Sequence, residues 1–415
     1  MQLFILFSVL VTLAALFSYL NVRLLRLPSG ISLMLMGVLA AVGVISLSQV
    51  SAGFAAIVHS ELARIDFSEF LLGILLSFLL FAGALHVNLV DLRKSAKSII
   101  SFATIGTAIS TFLVGLALYY LMQIYSHPMP LIMCLLFGAL ISPTDPIAVM
   151  SILKKANLSK TIQINVVGES LFNDGIGVVI FATLLKISTV GLEHFGAMQI
   201  SLLFLREAAG GMITGWLIGF AGYRLMKSID HFQTEIMISL AMVMGGYTLC
   251  HYLHVSGPLA MVVAGIMTGN RGLQRAMSDV TKDYLSKFWE VTDEILNAIL
   301  FMLIGLEIVV IHFQFHYFWI GLVTALLIVI SRYVSLYIPS AAFGFRKELG
   351  TNTLGIMTWG GLRGGISLAL ALSLPSGQFK DVIVSVTFVV VLFSILVQGL
   401  TIEKLIKFLA GRSEQ

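Results

Sequence analysis

Apolar segments of roughly 20 residues follow one another along almost the whole chain, and no other feature of the sequence constrains its fold as strongly. Such a segment is long enough to cross a bilayer as a helix. Because every backbone group within lipid must be hydrogen-bonded inside the protein, these segments predict helices. Thirteen spans are expected, at 2–20, 29–47, 68–87, 98–122, 130–152, 162–185, 203–226, 234–252, 257–270, 291–312, 317–339, 351–374 and 382–408.

The composition excludes a water-soluble protein of this size. Of the 415 residues, 58% are hydrophobic and 11% are charged, which leaves too little polar surface to cover a soluble core. The short connections leave no room for a separate soluble domain. We therefore predict an all-α polytopic membrane protein embedded in the lipid bilayer.

The positive charges fall mainly on one side of the predicted bundle. When alternate connections are assigned to opposite sides, most of the 25 Lys and Arg residues lie on the same side. Cytoplasmic connections carry such an excess, so the N-terminus is expected outside and the C-terminus in the cytoplasm. Topology thus accounts for the net charge of +4, and no nucleic-acid partner is expected.

Residues 169–175 read Glu-Ser-Leu-Phe-Asn-Asp-Gly and place two carboxylates and an amide inside the apolar stretch 164–185. An ionisable side chain at bilayer depth is costly unless it faces a partner or a water-filled cavity. A helix that carries two of them is by default part of an ion or proton path. The segment therefore indicates a transporter.

Helical geometry separates these polar residues into two faces, because Glu169 and Asp174 point about 140° apart. Ser170 shares a face with Asp174, and Asn173 shares a face with Glu169. A buried Glu needs a positive partner. The only arginines at depth in the predicted spans are Arg332 and Arg363. We favour Arg332 as the partner of Glu169, with Arg363 near the crossing of the broken helices, and the reverse pairing stays open.

Two spans contain residues that interrupt a helix. In span 5, Ser-Pro-Thr-Asp-Pro at 142–146 sets Asp145 between Pro143 and Pro146, and proline removes an amide donor and clashes with the preceding turn. In span 12, glycines surround Arg363 and weaken the helix. These glycines are Gly360, Gly361, Gly364 and Gly365. Broken backbone inside a membrane must face protein or water, where it can hold ions.

The two interrupted spans occupy matching places in the chain. Spans 1–6 and 8–13 form two sets of six, and an offset of seven inverts their orientation. We therefore expect two inverted six-helix repeats whose broken helices cross at mid-membrane. The expected division is a first repeat at 1–187, a linking helix at 203–226, a second repeat at 234–408 and a cytoplasmic tail at 409–415.

Asp174 is the residue expected to do the chemistry, because a carboxylate can hold either a proton or a hard monovalent cation but not both. Oxygen atoms of Ser170, Thr144 and Asp145 and of the unwound backbone would complete the coordination of a transported Na⁺. Asn297 lies deep in span 10 and is expected to contact this core.

Three motifs in this order resemble the sodium/proton antiporters of the NhaP and NHE type, in the monovalent cation:proton antiporter-1 family. They are Ser-Pro-Thr-Asp-Pro at 142–146, Gly-Glu-Ser-Leu-Phe-Asn-Asp-Gly at 168–175 and Gly-Gly-Leu-Arg-Gly-Gly at 360–365. The resemblance covers nearly the whole chain. It implies an NhaA/NhaP-like fold, a homodimer in the cell (inner) membrane, and a core bundle that moves against a dimerisation domain.

The resemblance also implies roles for individual residues. It implies that Asp174 exchanges Na⁺ or Li⁺ for a proton, in cation extrusion and pH homeostasis, with no cofactor. Thr144, Asp145 and Ser170 are expected to help hold the ion. Glu169, Asn173 and an arginine are expected to stabilise the core. Since Asn173 precedes the essential Asp, the exchange is expected to be electroneutral.

Two other functions are considered. A K⁺/H⁺ antiporter of the same fold would need only a different cavity size. An intramembrane aspartyl protease could use Asp145 and Asp174 as a pair that shares a proton. The sequence lacks the Gly-x-Gly-Asp arrangement expected of that class, and also a phosphate-binding Gly-x-x-x-x-Gly-Lys. A secondary transporter rather than an enzyme is therefore the favoured interpretation.

Overall fold

The computed structural model describes residues 2–50, 70–145, 153, 158–191, 196–272, 277–306, 315–345 and 351–411. In this part of the chain every regular element is a helix, apart from one isolated antiparallel bridge between Asp145 and Leu362. The helices are α1 (Gln2–Leu20), α2 (Ser29–Val50), α3 (Leu76–Leu85), α4 (Leu89–Lys94), α5 (Ala96–Ile124), α6 (Leu131–Ile141), α7 (Lys160–Val190), α8 (Ala197–Lys227), α9 (Phe232–Leu253), α10 (Gly257–Met267), α11 (Asp279–Leu306), α12 (Phe315–Ala342), α13 (Thr351–Trp359), α14 (Gly365–Leu372), α15 (Lys380–Phe393) and α16 (Gly399–Gly411).

The lengths of these helices confirm the all-α membrane class. Among the described residues, seven helices are long and apolar enough to cross a bilayer, namely α1, α2, α5, α7, α9, α12 and the continuous run of α15 and α16. Helices α3, α6 and α10 are apolar but shorter. The expected total of thirteen spans and the two inverted repeats stay predictions.

The helices begin and end at residues whose chemistry explains the boundary. The hydroxyl of Ser159 accepts a hydrogen bond from the Ile162 amide and caps the start of α7. The helix ends at Gly191, whose φ of 98° suits a residue without a side chain. Helix α10 begins directly after Ser256, whose hydroxyl accepts a hydrogen bond from the Leu259 amide. Ordinary capping thus sets the ends of the continuous helices.

The packing of the helices brings the two halves of the chain together. Helix α2 packs along α11, and α3 packs along α10. Helix α6 lies between α5 and α7, and α14 contacts α6, α7 and α15. The broken segments next to α6 and α14 are therefore enclosed by helices from both halves.

Candidate ion-binding site

The two broken segments lie directly against each other. Helix α6 ends at Ile141, two residues before the first proline of its motif, and α13 ends at Trp359 before the glycine-rich segment. The Asp145 amide donates a hydrogen bond of 2.8 Å to the Leu362 carbonyl, which forms the single antiparallel bridge of the described structure. Pro146, the second proline of the motif, lies outside the described residues.

Arg363 neutralises the open end of α6. Its Nη1 donates hydrogen bonds to the carbonyls of Ser142 and Pro143, the second at 2.9 Å. These carbonyls follow the last turn of α6, where the helix dipole is negative. The Arg363 amide donates to the hydroxyl of Ser394 at 2.8 Å. The side chain is only 1% exposed, so its charge is set against protein groups instead of water.

Asp145 lies at a helix N-terminus, whereas Arg363 contacts a helix C-terminus. A Cβ placed on Gly364 would be 2.7 Å from Oδ2 of Asp145, so this carboxylate sits beside the N-terminus of α14. A helix N-terminus carries a positive partial charge. We call the place where the two broken segments meet the crossing. It thus pairs the cation Arg363 with a helix C-terminus and the anion Asp145 with a helix N-terminus.

The glycines of span 12 provide space rather than an unusual backbone conformation. None of Gly360, Gly361, Gly364 and Gly365 has a positive φ. A Cβ on Gly361 would lie 3.0 Å from Nε of Arg332 and 3.2 Å from Cγ2 of Thr144. A side chain there would push the two broken segments apart.

Glu169 and Arg332 form a buried, bidentate ion pair. Nη1 of Arg332 donates to Oε1 of Glu169 at 2.8 Å, and Nη2 donates to Oε2 at 2.6 Å. The two residues are 1% and 2% exposed, respectively. Of the two pairings that the sequence left open, the structure therefore has the one with Arg332. The ion pair joins α7 to α12.

Asn173 links this ion pair to the break in span 5. Its Nδ2 lies 2.6 Å from Oε1 of Glu169 and 2.9 Å from Oγ1 of Thr144, and its Oδ1 accepts from the Thr144 amide at 3.3 Å. The hydroxyls of Thr144 and Ser170 are 3.0 Å apart. The two faces expected for α7 are therefore not independent, because Thr144 contacts a residue from each.

Asp174 lines a cavity of about 90 Å³ beside the crossing. The carboxylate is 6% exposed, and its Oδ1 accepts no hydrogen bond from any described residue. Such a volume has room for a small cation with a few oxygen ligands or waters. A buried carboxylate oxygen without a donor is available to a proton or a cation.

The cavity brings together most of the residues predicted for ion binding. Thr144, Asp145 and Asp174 all line it. Ser170 does not, although the sequence placed it on the face of Asp174; its hydroxyl lies against Thr144 instead. Ser170 therefore orients a cavity residue.

One ionisable residue of the cavity is absent from the sequence prediction. Asp293 of α11 lines the cavity together with Asn297, one helical turn later. Asp293 stands next to a connection of mixed charges, which gave no reason to separate it from a solvated helix end. Its four-residue spacing from the deep Asn297 was the available signal.

Comparisons with known proteins identify the family of the chain. Residues 10–408 match the family model described as sodium/hydrogen exchanger, transmembrane. The Na(+)/H(+) antiporter NhaP of Pseudomonas aeruginosa is 44% identical over 96% of this chain and 95% of its own length. The Na(+)/H(+) antiporter NhaH of Halobacillus aidingensis is 33% identical over 98% and 96%, respectively.

The fold has a solved counterpart. The sodium proton antiporter MjNhaP1 from Methanocaldococcus jannaschii superposes with a TM-score of 0.77 over 99% of this chain and 100% of that chain, at 20% identity. This likeness concerns the fold alone. Together, the match along nearly all of the sequence and the identity with curated relatives show that this chain belongs to the sodium/hydrogen exchanger family.

Proposed function

We propose that this protein is a secondary antiporter that exchanges Na⁺ or Li⁺ for H⁺ across the cell membrane, one cation for one proton. The observation that carries the proposal is Asp174, a buried carboxylate with an unpartnered oxygen on a small cavity beside two broken helices. The names of the relatives, Na(+)/H(+) antiporters NhaP and NhaH, support the choice of cation and proton.

Exchange follows from competition at this carboxylate. A proton on Asp174 removes the charge that would hold a cation, and a bound cation occupies the oxygen that would accept the proton. Thr144 and Asp145 line the same cavity and supply further oxygen ligands, which hard cations prefer. If the cavity opens to one side of the membrane at a time, the two ions must move in opposite directions.

The balance of buried charges supports electroneutral exchange. Glu169 pairs with Arg332, so their charges cancel. Asp145 and Arg363 carry opposite charges at the same crossing. Of the three acids in the motifs of spans 5 and 6, Asp174 is left over, and either one proton or one monovalent cation neutralises it. Asn173, its neighbour, cannot titrate and is held by Glu169 and Thr144.

A dye-quenching assay in everted vesicles tests the proposal. Added Na⁺ should dissipate a preformed proton gradient in the wild type, at a rate unchanged by an imposed membrane potential. Asp174→Asn should lower the rate to background, because an amide binds neither a proton nor a cation strongly. The control Asp283→Asn removes a charge from an exposed ion pair on α11 and should exchange normally.

Three results would contradict the proposal in different ways. Collapse of the gradient by K⁺ but not by Na⁺ between about pH 6 and 9 would reassign the cation. A rate that depends on membrane potential would reject the one-to-one stoichiometry. Normal exchange by Asp174→Asn would remove Asp174 from the mechanism.

We further propose that the two halves of the chain are inverted repeats. An offset of seven spans pairs α2 with α10 and α3 with α11, and the contact of α2 with α11 then has its counterpart in that of α10 with α3. The contact of α6 with α7 has its counterpart in that of α14 with α15.

We also propose that the protein is a homodimer in the inner membrane. The native mass of the purified protein in detergent tests the dimeric state.

A further inference from the structure

The cavity beside Asp174 has one apolar wall and one polar wall. Helix α3 contributes Leu76, Leu79, Leu80 and Gly83. Helix α11 faces it with Asp293 and Asn297. The apolar side chains of α3 offer no ligand to a hard cation. Beyond the side chains of α7 and the broken segment of span 5, the polar side chains that line the cavity are Asp293 and Asn297 of α11 and Ser367 of α14, and α11 supplies the only carboxylate among them.

The orientation of the Asn297 side chain follows from its hydrogen bond. Nδ2 of Asn297 lies 2.9 Å from the backbone carbonyl of Asp293. A carbonyl only accepts, so the nitrogen must face it and the oxygen must face away. Oδ1 is then buried and accepts no hydrogen bond from any described residue, while the residue as a whole is 6% exposed.

An unpartnered amide oxygen in such a place calls for a ligand. Leaving a buried acceptor without a donor or cation is unfavourable. Amide and carboxylate oxygens are the ligands that hard cations take in proteins. Asp293 is half-buried and lies one turn from Asn297 on the same helix face, so a carboxylate and an amide oxygen flank one part of the cavity.

We propose that Asp293 and Asn297 form a second cation-binding position in this cavity, through which the transported ion passes on its way to and from Asp174. The inference rests on the proposed exchange function and adds a position to its path. The positive-inside assignment makes the N-terminal end of α11 cytoplasmic, so Asp293 stands on the cytoplasmic side of Asn297. The cation thus meets a half-buried carboxylate before a fully buried one.

This position has a kinetic consequence. The proposed function assigns the exchanged proton to Asp174, so loss of Asp293 should weaken capture of the cation more than it slows turnover. A unit charge that acts across the width of the cavity changes cation affinity by about tenfold. Asp293→Asn should therefore raise the half-saturating Na⁺ concentration about tenfold, with the maximal rate within about twofold of the wild type.

Two further variants sharpen the test. Asn297→Leu keeps the side-chain size but removes the unpartnered oxygen, and it should also raise the half-saturating Na⁺ concentration. Glu294→Gln removes the same charge from the neighbouring exposed position of α11, which does not line the cavity, and it should change that concentration less than about twofold.

The outcomes separate binding from a general surface charge. An unchanged half-saturating concentration in Asp293→Asn overturns the proposal. Equal effects of Asp293→Asn and Glu294→Gln also overturn it, because the charge would then act only through the surface potential. If Asp293→Asn fails to fold, Asn297→Leu is judged by the same criterion.

A binding measurement keeps this proposal distinct from the exchange function. Sodium NMR on the purified full chain should detect bound Na⁺ in Asp174→Asn, and the signal should be lost in Asp174→Asn with Asp293→Asn. This readout needs no exchange, so it decides the question even if the wild type transports nothing. Equal binding by the two variants would reject the second position.

Discussion

Asn173 shows how one amide can serve two parts of a buried network. It contacts the Glu169 carboxylate on its own helix and both the hydroxyl and the amide of Thr144 across the break. A carboxylate in this place could accept but not donate, and would lie against Glu169 with the same charge. The amide therefore lets the scaffold ion pair and the cavity wall share one residue.

The ion pair of Glu169 and Arg332 should behave as a coupled unit. Arg332→Met alone leaves a buried carboxylate without its cation, and we expect a loss of about 3–5 kcal/mol of stability. The double variant Glu169→Gln with Arg332→Met removes both charges, so it should be more stable than Arg332→Met alone. Thermal unfolding of the purified protein in detergent measures both.

An exposed ion pair provides the control. Nζ of Lys407 lies 2.7 Å from Oε1 of Glu403, and the two side chains are 73% and 58% exposed. Glu403→Gln should therefore lower the stability by less than about 1 kcal/mol. Arg332→Met should therefore unfold at a lower temperature than Glu403→Gln. If it does not, or if the stability losses of Glu169→Gln and Arg332→Met simply add in the double variant, the two residues do not act as a coupled ion pair.

Single residues were predictable from the sequence where charge left few choices. Only two arginines lie at depth in the predicted spans, so a partner for Glu169 could be named from charge balance and depth. The place of Ser170 could not, because a hydroxyl turns to the nearest acceptor or donor and helical spacing gives only the face. Asp293 was missed because its charge merges with the polar end of α11.

The breaks in the helices were predictable because proline and glycine act on the backbone locally. Helix α6 ends before Pro143, and α13 and α14 flank the glycine-rich segment. The antiparallel bridge between Asp145 and Leu362 was not predictable, since a sequence motif does not say which atoms of two distant segments meet. The local sequence thus determines where the two helices break, whereas the contact between the two breaks depends on segments that are far apart in the chain.

Gly364 should be the most sensitive glycine of the crossing. A Cβ there would lie 2.7 Å from Oδ2 and 2.9 Å from Cβ of Asp145, so Gly364→Ala must move either the carboxylate or the start of α14. We expect Na⁺-dependent proton exchange to fall at least about tenfold, because displacements of about 1 Å at a reactive site have effects of that order or larger.

The matched control is Gly245→Ala on α9, where an added Cβ meets no atom within 4 Å. This change should leave exchange intact and stabilise the helix slightly, since Ala is the better helix former. Equal exchange by Gly364→Ala and Gly245→Ala in the vesicle assay would show that the close approach at the crossing is unimportant.

The orientation of the whole chain in the membrane can be tested by labelling introduced cysteines, because its two native cysteines should not react. Cys134 and Cys250 are fully buried and should not react with a membrane-impermeant maleimide. Gln123→Cys, at the predicted outer end of α5, should be labelled in right-side-out vesicles, and Lys407→Cys on α16 in everted vesicles. The opposite pattern would reverse the predicted topology.

The hydrogen bond between Asp145 and Leu362 also bears on how the protein is made. Its two partners come from opposite halves of the chain, so the cavity is incomplete until the glycine-rich segment 360–365 has left the ribosome. During synthesis Glu169 and Asp145 enter the bilayer before Arg332 and Arg363 have been made. Biogenesis should therefore contain an interval in which unpaired acids await their cations, and insertion chaperones would act most usefully in that interval.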